Sequence, residues 1–340
     1  MRTVLVTGGA GFIGSNFVDY FTKKYPDYLI LNLDSLTYAA RHNSFERSSK
    51  NENYKFLKID INNKVAIEKI FLDYPIDGVI HFAAETHVDN SITDPEIFLK
   101  TNILGTYNLL HECKKKWLDI DNNTICRFNN SRFLHVSTDE VYGSLGAKGF
   151  FSEETSYAPN SPYSASKASS NFLVRAYSKT YGLNVVTTNC SNNYGPKQHK
   201  EKLIPKVIFN ALSEKAIPIY GDGKNIRDWL FVEDHCNALD LAFHFGKDGE
   251  TYNIGGYNEK ANNEIVKMIC EILDRKKPRA NGKKYQDLIE YVNDRAGHDR
   301  RYAIDPSKIA SKLGWSPNEN FETGIEKTID WYLEDYGVFK

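Results

Sequence analysis

The sequence predicts a doubly wound α/β fold, a parallel sheet covered by helices on both faces, with a second, smaller α/β domain for substrate. In the first half of the chain, short β-branched apolar runs alternate with longer helical patterns, which is typical of a parallel sheet. A glycine-rich turn directly follows the first of these runs. After about Asn193, short strands, Pro/Gly turns and isolated helices replace the alternation.

The elements of the first half are predicted from apolar periodicity and helix end signals. Pro95 suits the first turn of a helix, and Gly182 suits the end of another. The predicted strands are Thr3–Thr7, Leu29–Asp34, Tyr54–Asp60, Gly78–Ala83, Arg132–Thr138 and Asn184–Asn189. The predicted helices are Gly11–Tyr25, Val65–Tyr74, Pro95–Trp117 and Tyr163–Tyr181.

The second half is expected to form the smaller domain, with one return to the larger one. A helix is predicted over Asn262–Leu273, whereas Gly255-Gly256 and the Lys/Arg-rich Arg275–Lys284 are predicted to be exposed connections. The segment Trp229–Phe245 is expected to return to the large domain. The predicted domains are therefore residues 1–193 plus about 226–256, and about 194–225 plus 257–340.

Composition limits the classes of partner. A formal net charge of −1 over 340 residues gives no bulk attraction to nucleic acid or to an anionic membrane. No apolar run approaches the roughly 20 residues of a membrane span, and a strand begins at Thr3, leaving no room for a signal peptide. The five cysteines are odd in number, scattered, and without metal-site spacing. We expect a cytoplasmic protein without a metal, a nucleic-acid partner or a membrane partner.

The first turn has the pattern of a dinucleotide site. Glycines at 8, 11 and 14 form G-x-x-G-x-x-G between a strand and a helix, so that the backbone can approach a pyrophosphate at the helix N-terminus. Asp34 ends the second strand, at the distance expected for a ribose-binding carboxylate, although it is also a residue that caps turns. A carboxylate there repels a 2′-phosphate and favours NAD over NADP, a preference that nearby Arg41 weakens slightly.

A second group of residues has the chemistry of proton transfer. Tyr163 and Lys167 lie at i and i+4 on one predicted helix face, and a neighbouring ammonium group and a nicotinamide cation both favour the phenolate. Asp139 and Glu140 follow a strand that ends in Ser137-Thr138, where α/β folds place active sites. Repulsion and burial can separate the pKa values of two adjacent carboxyl groups, so that one acts as acid and one as base.

These motifs together resemble the nucleotide-sugar branch of the extended short-chain dehydrogenase/reductase family, and the resemblance covers essentially the whole chain. Further matching segments are His81–Asp89, Asn189–Pro196 and Gly221–Asp228. Ser137–Gly143 resembles the corresponding segment of the dTDP-glucose 4,6-dehydratases of this branch. The resemblance implies a Rossmann-type NAD-binding domain, a nucleotide-sugar substrate and a homodimer with Pro95–Trp117 and Tyr163–Tyr181 at its interface.

The resemblance also implies roles for individual residues. Tyr163 would accept the O4 proton of the sugar, with Lys167 and Thr138 positioning the reacting groups. Glu140 would take the C5 proton, and Asp139 would protonate the departing C6 hydroxyl group. The implied cofactor-binding residues are Gly8, Gly11, Phe12, Ile13, Gly14, Asp34, Ser35, Leu36, Thr37, Asp60, Ile61, Ala83, Ala84, Glu85, Thr86, His87, Thr101, Tyr163, Lys167 and Asn193. The implied substrate-binding residues are His87, Thr138, Asn192, Lys202, Leu203, Pro218, Ile219, Tyr220, Arg227, Asn262, Asp294, Arg295, Ala296, Gly297 and His298.

Three segments depart from the family pattern. Ala296 stands where Pro is usual, His199-Lys200 replaces Phe-Pro, and Ala40-Arg41 replaces Gly-Asn. These changes leave the nucleotide open between dTDP and UDP. Two other functions remain as alternatives: a UDP-sugar 4-epimerase or decarboxylase, which has no need for the Asp139–Glu140 pair, and a non-catalytic NAD-sensing protein, which typically loses Tyr163 or Lys167.

Overall fold

The computed structural model of the chain describes residues 2–41, 48–294 and 297–337. Its strands are β1 (Arg2–Thr7), β2 (Tyr28–Asp34), β3 (Tyr54–Lys58), β4 (Ile76–His81), β5 (Arg132–Thr138), β6 (Val185–Cys190), β7 (Asn192–Tyr194), β8 (Ile217–Tyr220), β9 (Ile226–Phe231), β10 (Thr251–Ile254), β11 (Glu259–Ala261) and β12 (Ile289–Val292). Its α-helices are α1 (Phe12–Lys24), α2 (Lys64–Asp73), α3 (Val88–Thr93), α4 (Pro95–Phe98), α5 (Thr106–Trp117), α6 (Pro162–Tyr181), α7 (Leu203–Leu212), α8 (Val232–Phe245), α9 (Asn262–Lys276), α10 (Ser307–Leu313) and α11 (Phe321–Asp335). Short 3₁₀ segments cover Ser48–Lys50, Cys126–Phe128, Asp139–Tyr142 and Tyr285–Leu288, and a π-helical segment covers Leu99–Gly105.

A seven-stranded parallel sheet in the order β3-β2-β1-β4-β5-β6-β10 is the centre of the larger part of the molecule. Alternate side chains of β1 enter different cores, because Val4 and Val6 pack with Phe17 and Phe243, whereas Leu5 packs on the opposite face. Helices α1 and α8 cover the first face, and α2, α5 and α6 cover the second. This arrangement confirms the predicted doubly wound α/β fold.

A second core lies in the smaller part of the molecule. Helices α7, α9 and α11 pack around the three-stranded sheet β11-β9-β7 and the strand pair β12-β8. The segment Trp229–Phe245 is shared between the two cores: Trp229 and Phe231 belong to the smaller one, while Phe243 packs beside the large sheet. We retain the predicted domain boundaries as a proposal, although Trp229 and Phe231 of the segment predicted to return to the large domain pack in the smaller core.

Several elements differ from the prediction. Strand β10 was not predicted; its four residues complete the large sheet beside β6. Strands β3 and β4 end at Lys58 and His81, two residues before their predicted ends. The helix predicted over Pro95–Trp117 contains a π-helical interruption. There the amide of Asn102 bonds with both main-chain groups of Glu85, 2.9 and 3.1 Å away, which fastens this segment to the loop after β4.

The predicted exposed connections are corrected in part, because residues 277–284 do form a connection after α9. Gly255 and Gly256 are buried, because the turn they form packs against β9. Helix α9 continues through Arg275 and Lys276, which pair with Glu326 and Asp330 of α11 at 2.8 and 2.7 Å. No helix within the described residues is long and apolar enough to cross a membrane.

Candidate active site

A cleft of about 340 Å³ opens at the carboxyl ends of the large sheet's strands. Most of the predicted residues line it, although they come from segments far apart in the chain. The predicted residues on its walls are Gly8, Gly11, Phe12, Ile13, Gly14, Asp34, Ser35, Thr37, Asp60, Ile61, Ala83, Ala84, Glu85, Thr86, Thr101, Thr138, Asp139, Glu140, Tyr163, Lys167, Asn192, Asn193 and Lys202.

The glycine-rich turn is built by close backbone approach. Gly8 has a φ of +75°, and a Cβ on it would lie 2.5 Å from the amide nitrogen of Ala83. A Cβ on Gly14 would lie 2.2 Å from the carbonyl oxygen of Gly8. Gly11 caps α1, so the helix's first N–H groups, which have no acceptor inside the helix, face the cleft wall. The turn therefore offers main-chain donors and a helix N-terminus to an anionic group.

Asp34 is fixed at the edge of this turn. One carboxylate oxygen accepts from the amide of Ala10 at 2.9 Å, and the other from that of Leu36 at 2.8 Å. Burial raises the pKa of Asp34, and these two N–H bonds oppose the rise. Nη2 of Arg41 donates to both carboxylate oxygens of Asp335, at 2.9 and 3.0 Å, and its guanidinium group stacks over Trp331. The charge of Arg41 is therefore balanced by Asp335 and not by Asp34.

Helix α6 presents Tyr163 and Lys167 to the same cleft. The helix begins at a Ser161–Ser164 capping box with Pro162 in its first turn. The Lys167 ammonium group donates to the carbonyl oxygen of Val136 at 2.9 Å, and burial lowers its pKa to about 8. The pKa of Tyr163 is raised, by burial first and then by the charge of Glu140. The phenol is therefore neutral in this structure.

The two carboxyl groups after β5 have different surroundings. Asp139 is 1% exposed, whereas Glu140 is half-buried. The Thr138 hydroxyl donates to Oδ1 of Asp139 at 3.3 Å and also accepts from the Glu140 amide at 3.3 Å. Burial, followed by the charges of Glu140 and Asp228, raises the pKa of Asp139 well above its ordinary value. The surroundings of Asp139 therefore favour its protonated form, and Glu140 beside it is more accessible.

Some predicted residues lie outside the cleft wall. Leu36 and His87 are adjacent in sequence to residues of the cleft wall. His87 caps α3 by accepting a hydrogen bond from the Asn90 amide at 3.3 Å. Arg227 is buried under the ring of Tyr302, at 4.3 Å, and donates to main-chain carbonyl groups. Arg295 and Ala296 lie outside the described residues. The others that do not line the cleft are Leu203, Pro218, Ile219, Tyr220, Asn262, Asp294, Gly297 and His298.

Sequence reasoning missed several residues of the site. Cys190, Ser191, Gln198, His199 and Glu201 line the cleft together with Lys202, whose ammonium group donates to the Thr86 carbonyl at 3.0 Å. Cys190 and Ser191 follow from the position of β6, since a strand beside β5 must end at the same sheet edge. The charge of Asp228 acts on Asp139 and that of Glu140 acts on Tyr302, and both effects join distant parts of the chain. Within the described residues, no group of three His, Cys, Asp or Glu side chains is placed to hold a metal ion.

The chain is similar to known proteins in both sequence and structure. The family model described as GDP-mannose 4,6 dehydratase matches residues 5–328. A dTDP-glucose 4,6-dehydratase of Xanthomonas campestris pv. campestris is 52% identical over 98% of this chain and 93% of the relative. The crystal structure of the Bacillus anthracis dTDP-glucose 4,6-dehydratase in complex with NAD has a TM-score of 0.86 and 45% identity, covering 99% of this chain and 98% of the other. The Streptomyces venezuelae dTDP-glucose 4,6-dehydratase, with NAD and TYD bound, has a TM-score of 0.89 and 40% identity over the same shares.

Proposed function

The chain belongs to the GDP-mannose 4,6-dehydratase family, and from this premise we propose that it converts dTDP-glucose to dTDP-4-keto-6-deoxyglucose and water, with NAD as its cofactor. The observation that carries the proposal is the cleft that joins the buried acid Asp139 and the carboxylate Glu140 to Tyr163 and Lys167. An enzyme that only oxidises and reduces a sugar needs the last two residues. An enzyme that also eliminates water needs an acid and a base as well.

The residues of the cleft fit NAD. Gly8 and Gly14 allow the turn to close tightly, because a Cβ on either would collide with backbone atoms, and the main-chain donors of this turn suit a pyrophosphate. The Asp34 carboxylate is fixed by two amides where a ribose hydroxyl group is expected, and Arg41 is engaged by Asp335. The remaining predicted cofactor residues that line the cleft would surround the rest of the molecule. When bound, NAD supplies the hydride acceptor for oxidation at C4 and the hydride donor for reduction at C6.

The protein's own residues move the protons. Tyr163 removes the O4 proton as a phenolate, the form that the Lys167 ammonium group and the positive charge of a bound nicotinamide favour. Loss of this proton allows a ketone to form at C4 and makes the C5 hydrogen acidic. Glu140 then takes the C5 proton, while the Asp139 proton goes to the C6 hydroxyl oxygen and the C6–O bond breaks to release water. Glu140 returns a proton to C5 as C6 is reduced. Lys167, fixed on the Val136 carbonyl, holds a positive charge near Tyr163.

The substrate's nucleoside diphosphate is assigned to the smaller part of the molecule. A guanidinium group can bind a diphosphate bidentately, and Arg227 would do so by exchanging the Ile226 and Asp299 carbonyl groups to which it now donates. Tyr220 provides a ring for the base. Lys202 lies at the cleft wall, where it can reach the sugar. We assign the other predicted substrate residues to the same ligand. The relatives favour dTDP, and UDP-glucose is the alternative substrate.

The two alternative functions give no role to the acid and base pair of the cleft. A UDP-sugar 4-epimerase or decarboxylase uses Tyr163 and Lys167 but gives no role to a buried, protonated Asp139 beside Glu140. A non-catalytic NAD-sensing protein needs none of the four residues. The surroundings of Asp139 favour the dehydratase, because burial and the charges of Glu140 and Asp228 raise its pKa, whereas a solvated loop carboxylate would be ionised at neutral pH.

We further propose a cytoplasmic homodimer. Exposed apolar side chains occur on the predicted interface helices, including Ile97, Leu104 and Phe172. All five cysteines are free thiols, which suits a reducing compartment. The mass of the purified protein in solution tests the dimer: the monomer's 38.8 kDa would contradict it and twice that mass would support it.

The function is tested by comparing dTDP-glucose and UDP-glucose with purified protein and no added NAD. We expect a 4-keto-6-deoxy sugar from dTDP-glucose, formed with cofactor retained from the cell. Preferential use of UDP-glucose would change only the nucleotide. Absence of product from both, even with NAD added, would contradict the proposed function.

A further inference from the structure

Asp228 is a buried carboxylate that the mechanism above does not use. It lies on β9 and is 1% exposed. Its Oδ2 accepts from the Gly256 amide at 2.9 Å, and its Oδ1 accepts from the Asn258 amide at 2.7 Å. A Cβ on Gly255 would lie 2.7 Å from Oδ2. The glycine turn after β10 is therefore wrapped directly around this carboxylate.

Three neighbouring strands bring this turn close to Asp139. Thr138 at the end of β5 is in register with Cys190 of β6, which is in register with Ile254 at the end of β10. Asp139 follows the first of these strands, and the turn that holds Asp228 follows the third. Because adjacent strands lie about 4.8 Å apart, the ends of β5 and β10 are separated by about 10 Å.

The turn favours a charged Asp228. Burial raises the pKa of Asp228, but the two main-chain N–H groups oppose that rise. Donors on both carboxylate oxygens stabilise the ionised form. The donors are neutral main-chain groups, so they leave the negative charge uncompensated in a buried region.

Asp139 is the group on which this charge acts. Its Oδ2 is buried and has no hydrogen-bond partner within the described residues. The charges of Glu140 and Asp228 both raise the pKa of Asp139, and that of Arg227 lowers it. Two further titratable groups that interact with Asp139, one on α6 and one on β6, are neutral.

Those neutral neighbours are Tyr163 on α6 and Cys190 on β6. The pKa of Tyr163 is raised well above 10, and burial raises the pKa of Cys190 to about 12. Neither group therefore adds a charge next to Asp139 at neutral pH. Only Glu140 and Asp228 supply negative charge there among the groups named here, and they differ in the reaction: Glu140 is neutralised when it accepts the C5 proton, whereas Asp228 does not react.

We propose that Asp228 is a positioning residue for elimination, whose constant negative charge keeps Asp139 protonated until the leaving hydroxyl group needs a proton. This role rests on the proposed function. Loss of the Glu140 charge then makes Asp139 more acidic at the step in which its proton is used. Asp228 therefore keeps Asp139 protonated before elimination, and the loss of the Glu140 charge favours release of the Asp139 proton.

The test compares wild type with Asp228→Asn, and uses Asp234→Asn as a matched control. Asp234 is also a buried carboxylate, 4% exposed, and accepts from the Glu319 amide at 2.9 Å. Infrared titration of the protonated carboxyl band, assigned to Asp139 by its loss in Asp139→Asn, reports the state of this group directly. In Asp228→Asn we expect the band to disappear at a lower pH, by on the order of one pH unit. The alkaline limb of the elimination rate should move by the same amount, and the control should move neither.

A band that titrates at the same pH in wild type and Asp228→Asn overturns the inference, as does the absence of any Asp139 band in wild type. A shifted band together with undiminished elimination by Asp139→Asn supports the electrostatic link and contradicts the acid role in the proposed function. If Asp228→Asn does not fold, Asp228→Ser is the second neutral variant, because its hydroxyl can accept from one of the two amides. The infrared criterion is unchanged.

Discussion

The carboxylate of Asp34 accepts a hydrogen bond from the amide of Ala10 at 2.9 Å, which ties the end of the second strand to the glycine-rich turn after the first. The carboxylate that we propose for the cofactor's ribose therefore also shapes the turn that we propose for its pyrophosphate. A change at Asp34 acts on both halves of the cofactor site.

Replacing Asp34 by Ala should lower the affinity for NAD by about tenfold to a hundredfold, because hydrogen bonds to a charged acceptor are lost. The preference for NAD over NADP should fall with it. Titration of cofactor-stripped protein with each dinucleotide measures both. Asp77→Ala is the matched control, since Asp77 also accepts from a main-chain amide, that of Thr3 at 2.8 Å, but at the opposite end of the sheet. An unchanged NAD to NADP ratio in Asp34→Ala would contradict the ribose role.

Replacing Gly14 by Ala should destabilise the turn. The new Cβ would lie 2.2 Å from the Gly8 carbonyl oxygen, so helix and turn must move apart. We expect the free energy of unfolding to fall by about 1–3 kcal/mol and NAD binding to weaken. Denaturant titration measures the first effect. Gly146→Ala is the control, because no heavy atom lies within 4 Å of its Cβ position; equal losses in both variants would refute the steric argument.

Glu140→Gln and Asp139→Asn should stop the reaction at one stage. Each acid or base contributes roughly 10²–10⁴-fold to its own step, so elimination should slow by that factor while C4 oxidation persists. Rapid mixing with dTDP-glucose should then show reduced cofactor accumulating without formation of the 4-keto-6-deoxy product. The exposed Glu154→Gln serves as control. A Glu140→Gln enzyme with wild-type turnover would rule out the assigned base.

The buried ammonium group of Lys167 should make stability depend on pH in the alkaline range. Burial lowers its pKa from 10.5 to about 8, so between these values the unfolded chain binds more protons than the folded one. The free energy of unfolding contributed by this residue therefore rises with pH across that window, by about 3 kcal/mol in total. Denaturation of wild type and Lys167→Met below and above the window measures the difference, and parallel pH curves would show that the lysine is not strongly desolvated.

The part of the site that lies in continuous segments could be predicted from the sequence. Gly8–Gly14, Asp34, Tyr163 and Lys167 each combine a residue type with a position relative to a strand or helix, and the structure places all of them on one cleft. The alternation of apolar strands and helices likewise predicted the sheet, because its central strands β1, β4, β5 and β6 are buried almost throughout.

Other features depend on packing between distant segments. Strand β10 has only four residues, so its pattern is too short to recognise before β6 provides a partner. The π-helical turn at Leu99–Gly105 keeps a helical pattern of side chains, and only its contacts with the loop after β4 distinguish it. Asp228 carries a charge whose target, Asp139, lies 89 positions away in the chain. No spacing rule connects two such residues.

The central claim is that oxidation at C4, loss of water and reduction at C6 occur in one cleft with a retained cofactor. It is tested most directly with dTDP-glucose carrying deuterium at C4, incubated with purified protein and excess unlabelled NAD. We expect a 4-keto-6-deoxy product that carries the deuterium at C6, because the hydride passes from C4 to the retained cofactor and then to C6 without exchange with the added NAD. Product without deuterium at C6, or deuterium recovered in the added cofactor, would contradict it.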